Sequence, residues 1–105
     1  MTFTGKEKHV ISLADAGNLN GNFRKKTTGS GAVIGHFFGA ETVKRILAQD
    51  GCVGIRIYYA AQDDGVPTLV MVGANANEND LVSGEIAEWT LPCPPFCGAS
   101  NSLNS

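Results

Sequence analysis

The stretch that decides the fold is Cys52-Val53-Gly54-Ile55-Arg56-Ile57-Tyr58-Tyr59, followed by Gln62 to Gly65 and then Thr68-Leu69-Val70-Met71-Val72. In its first part Val53, Ile55, Ile57 and Tyr59 alternate with Cys52, Gly54, Arg56 and Tyr58, and β-branched and aromatic residues dominate. That pattern predicts a strand over Cys52 to Tyr59 with one core face. Thr68 to Val72 is a second apolar run, and Asp64-Gly65 between them is a tight-turn signal, so the two runs pair as an antiparallel hairpin. Downstream, Gly73 to Asp80 reads as a turn, and the weaker alternation of Gly84 to Leu91 reads as a third strand. Pro92, Pro94 and Pro95 lack the amide donor that a ladder needs, which predicts an extended tail from 92 to 105.

Upstream of the hairpin the period changes. Ser12 is a candidate N-cap with Asp15 in the first turn. Leu13, Ala16, Leu19 and Phe23 recur at helical spacing, although Gly17 and Gly21 weigh against a helix. Thr27 to Gly35 is a glycine-rich connector. A second helix follows, with Glu41 near its start, Lys44 and Arg45 further on, an apolar stripe of Val43, Ile46 and Leu47, and Gly51 to end it. The expected architecture is α+β: two N-terminal helices, a three-stranded antiparallel meander and an extended tail containing proline and cysteine. It forms one domain over 1–105, with a polar lead-in at 1–9.

At 105 residues the chain is sized for one core. With 43% hydrophobic and 17% charged residues it has enough apolar surface to fold. Its expected core is Val53, Ile55, Ile57, Leu69, Met71, Phe37, Ile46 and Leu47. Two helices cover only one face of a three-stranded sheet, so Tyr58, Val70, Val72 and Trp89 are expected on the other face as an apolar patch that self-association would cover.

A net charge of -2, with one short basic run at Arg24, Lys25 and Lys26, is a poor footprint for nucleic acid. No apolar run approaches a membrane span, and no classical export signal is visible, so a cytoplasmic location is expected, with non-classical export left open.

Three cysteines, Cys52, Cys93 and Cys97, form an odd set without an export signal, which favours reduced thiols. Cys93 and Cys97, four positions apart, could hold zinc or iron with Cys52 or His36, although the spacing is weaker evidence than paired CxxC knuckles. A local Cys93–Cys97 bridge is the other reading if the protein is exported. A Cys52–His36 or Cys52–His9 nucleophilic pair has no positional support. Gly29-Ser30-Gly31 lacks the context of a phosphate loop, and Asn75, Asn77, Asn79 and Asp80 lack the glycine and terminal glutamate of a calcium loop. No catalytic residue is assigned.

The strings Gly35-His36-Phe37-Phe38-Gly39, Gly51 to Tyr59, Leu69 to Gly73 and Pro92-Cys93-Pro94-Pro95-Phe96-Cys97-Gly98 resemble a family of short uncharacterised proteins from bacteroidete bacteria. The resemblance spans about residues 35 to 104, implies a bacterial source and supplies no catalytic residue. The functional expectation is a non-enzymatic interaction or self-assembly module, homo-oligomeric; the alternative is a small thiol-metal protein.

Overall fold

A computed structural model describes residues 2–27 and 32–105. The chain sorts into two compact units, each assembled from stretches far apart in sequence, so the domain expected from length has an internal division. One unit comprises residues 2–7 with Phe38–Thr90, the other Lys8–Phe37 with Leu91–Ser105.

The second unit begins with α1 (Leu13–Lys26), started as expected by Ser12, whose hydroxyl accepts the Asp15 N–H at 3.0 Å. That bond satisfies one of the helix's orphan amide donors. The glycine-rich connector is described only at Thr27 and from residue 32 onward; residues 28–31 lie outside the described residues. After it, β1 (Gly35–Phe37) pairs antiparallel with the last strand of the chain, Leu91–Cys93, in a separate two-stranded sheet.

This corrects the reading of the proline-containing stretch as an extended tail from Pro92 onward. A two-stranded ribbon has only edge strands, so Pro92, opposite His36, can sit with its donorless nitrogen away from the partner. Beyond the ribbon, Arg24 donates to the main-chain oxygens of Leu103 and Ser105 at 2.7 and 2.8 Å, tying the C-terminal segment to α1.

In the first unit, α2 (Ala40–Leu47) is followed by β2 (Cys52–Ala61) and β3 (Pro67–Asn75), which form the expected antiparallel hairpin. Its turn is closed by the Gln62 N–H donating to the Val66 carbonyl at 2.9 Å and by the Asp64 carboxylate accepting the Val66 N–H at 3.1 Å. The third strand is much shorter than the Gly84 to Leu91 run. Only β4 (Ile86–Ala87) pairs, with Val72 and Met71. The remaining strand, Leu91–Cys93, is β5. The strand order β2-β3-β4 makes β3 central, and residues 71 to 74 of β3 are all buried.

The core is thinner than the sequence suggests. Ile46 is wholly buried and Met71, Val72 and Ala74 nearly so. Leu47, Ile55, Ile57 and Phe37, expected inside, are exposed. Gln49, just past α2, bonds the Ile46 carbonyl through its amide nitrogen (2.8 Å) and accepts the Glu85 N–H through its oxygen (3.0 Å). Arg45 pairs with Glu85 at 3.0 Å. Together these link the end of α2 to the segment before β4. Among the described residues no helix is long and apolar enough to cross a membrane.

Candidate interaction surface

The outer edge of the three-stranded sheet is β2, and its exposed ladder can be worked out residue by residue. In an antiparallel pair, residues opposite one another alternate between those that exchange N–H···O bonds and those that do not. Gln62 and Val66, the pair next to the turn, are hydrogen-bonded, whereas Ala61 faces Pro67, which has no N–H to give. Counting in steps of two, Ala60, Tyr58, Arg56 and Gly54 turn their amide groups inward to β3, while Tyr59, Ile57 and Ile55 turn theirs outward. The far side of β3 gives an independent check. Gly73, opposite Ile55, directs its carbonyl to the Leu81 N–H at 2.9 Å, away from β2.

The same alternation sorts the side chains. Ile55, Ile57 and Tyr59 share one face and are 38%, 45% and 95% exposed. Tyr58 and Arg56 lie on the other face, opposite Val70 and Val72. Of the four residues expected on an interaction face, Tyr58 and Trp89 are exposed and Val70 is half-buried, but Val72 is buried at 3%. Val72 thus lies on the expected face but is not exposed there.

One physical reason lies in the segment taken for a polar lead-in. The Phe3 N–H donates to the Ala76 carbonyl at 3.1 Å, and the Arg56 guanidinium stacks over the Phe3 ring, 5.4 Å from its centroid, on the face shared by Val72. Trp89, just after β4, borders an open hollow with Gln62, Asp63, Asp64 and Glu88. Glu88 accepts the hydroxyl of the buried Thr68 at 2.9 Å.

Arg56 and Tyr58 are bound into a network with Asp80. The Arg56 guanidinium donates to one carboxylate oxygen and to the Glu78 carbonyl, and the Tyr58 hydroxyl donates to the other carboxylate oxygen. The Tyr58 hydrogen bond is the largest influence on the Asp80 carboxyl and, joined by the Arg56 guanidinium, holds it below the usual carboxylate value against the cost of desolvation. The same carboxylate raises the Tyr58 phenol and the Arg56 guanidinium above their ordinary values. The one charge on β2 is thus neutralised within its own unit. Tyr58 and Trp89 are exposed, and so are Ile55 and Ile57, which the sequence reading assigned to the core.

The candidate metal ligands are dispersed or consumed. Cys93 and Cys97 form a disulfide with a Cα separation of 4.8 Å, within the usual bridging range, which corrects the reading of that pair as reduced thiols or metal ligands. The four-position spacing that is poor for a metal knuckle suits a local bridge. Cys52 keeps a half-buried thiol that donates to the Gly54 carbonyl at 3.2 Å, and His36 sits in β1 opposite Pro92. Among the described residues no group of three or more His, Cys, Asp or Glu is placed to hold a metal ion. The asparagine-rich segment is a turn: the Asn75 side chain accepts the N–H groups of Asn77 and Asn79 at 3.0 Å each, and Asp80 is committed to Arg56 and Tyr58.

Comparison of the chain with protein-family models, with curated proteins and with solved structures finds no match in any of the three.

Proposed function

We propose that the chain is a non-enzymatic protein-interaction module that self-associates into a homo-oligomer. The observation that carries this reading is the outer strand β2, ten residues long, with Ile55, Ile57, Tyr58 and Tyr59 exposed along it. Soluble proteins guard such edges with lysine, proline, a strong bulge or a covering segment, because unpaired amide groups template the addition of another strand. Between Cys52 and Ala61 there is no lysine, proline, aspartate or glutamate, and both the irregularity in the ladder and the approach of Gly5 to the Val53 main chain lie at one end, before Gly54. Exposed apolar side chains beside an unpaired ladder are the chemistry of strand addition.

Light scattering across a dilution series tests the proposal. The expected result is a mass above the 11.0 kDa of one chain at micromolar concentration that falls on dilution. A constant single-chain mass throughout the series would reject it.

A further inference from the structure

Resting on that self-association reading, we infer that the partner of β2 is the β2 strand of a second copy, paired antiparallel about a two-fold axis that passes between the two Ile57 residues. A two-fold axis that makes neighbouring strands antiparallel stands normal to the sheet and leaves each face on its own side. The apolar face of one copy therefore continues into the apolar face of the other.

Outward-facing residues must meet outward-facing residues, so Ile55, Ile57 and Tyr59 pair among themselves. With Ile57 opposite its own copy, Ile55 faces Tyr59 of the second copy and residues 54–60 overlap, stopping short of Val53, whose main-chain oxygen lies against Gly5 of its own chain. On the other face Arg56 comes opposite Tyr58 of the second copy, a cation beside an aromatic ring.

The neighbouring registers are worse. Moving the axis one residue toward the N-terminus sets Arg56 against its own copy, a like-charge pair. Moving it one residue toward the C-terminus sets Arg56 opposite Ala60 of the second copy and forfeits the cation–aromatic pairing with Tyr58. The opposite edge of the sheet is the two-residue β4, too short to propagate a second ladder, so the assembly closes as a dimer.

Amide hydrogen exchange of the intact protein, followed by NMR at two concentrations spanning dissociation, tests the register. The Ile55, Ile57 and Tyr59 amides are expected to be protected in the dimer, with exchange accelerating at least about tenfold on dilution. Those of Arg56, Tyr58 and Ala60 stay protected at both concentrations. Ile57→Lys, which sets two ammonium groups face to face, is expected to raise the dissociation constant about tenfold or more. Ile55→Lys also weakens the dimer, and adding Tyr59→Glu recovers affinity by pairing each lysine with a glutamate of the other copy.

A stable oligomer in which the Ile55, Ile57 and Tyr59 amides exchange freely, or in which the Lys–Glu pair gives no recovery, would overturn the edge pairing and leave self-association standing. A single-chain species at every concentration would overturn both.

Discussion

Gly5 holds φ at +81°, and a Cβ built on it would lie 2.7 Å from the main-chain oxygen of Val53. The left-handed backbone alone costs an L-residue roughly 1–2 kcal/mol, and the contact is with backbone that cannot swing aside. Gly5→Ala is therefore expected to destabilise the first unit by about 2 kcal/mol in urea unfolding and to loosen the Phe3 contact with Arg56. Asp80 gives the pH dependence at this scale. Its folded carboxyl titrates below the ordinary 3.8, so its stabilisation is fully present above that value and is lost as pH falls through the lowered one. Asp80→Asn should reduce the melting temperature at neutral pH and flatten the acid limb below pH 4; an unchanged acid limb would show that the network adds nothing. Tyr58 acts at the alkaline end. Its phenol is raised above 10.0, so its contribution holds below that value and fades as pH climbs through the raised one.

The elements show how far local pattern reaches. The Ser12 cap, α2 and the hairpin at Asp64-Gly65 were legible because each rests on chemistry within a few residues. The pairing of β1 with β5 was not. Each strand is three residues long, the partners are more than fifty positions apart, and Pro92 argues against a strand unless its nitrogen is known to face away from the partner. Gly17, which counts against α1 on propensity, has a reason that only the fold reveals: a Cβ there would lie 2.9 Å from the Ser102 carbonyl, so the glycine makes room for the C-terminal segment. The Cys93–Cys97 bridge closes a loop with a sequence separation of four. Chain-entropy arguments give so small a ring about 2 kcal/mol. Replacing both cysteines with alanine should lower the stability of the second unit by about that amount in denaturant unfolding, whereas no loss would mean that the bridge is energetically idle.

For the molecule as a whole, the exposure of the proposed surface was half legible. Exposed Tyr58 and Trp89 followed from having too few helices to cover two faces of a sheet. Val72 lies on the same face as Tyr58 but is buried there, and Arg56, its partner in the ladder, stacks on Phe3 from a segment with no secondary structure. Ile55 and Ile57 were expected in the core although the expected meander already made theirs an outer strand; α2, only eight residues long, leaves both exposed. An unguarded outer strand whose only charge is internally neutralised makes self-association the central claim. Native mass spectrometry of the intact chain at tens of micromolar tests it most directly. A predominant species of two chains, each of 11.0 kDa, is predicted, and a spectrum containing only the single chain would contradict it.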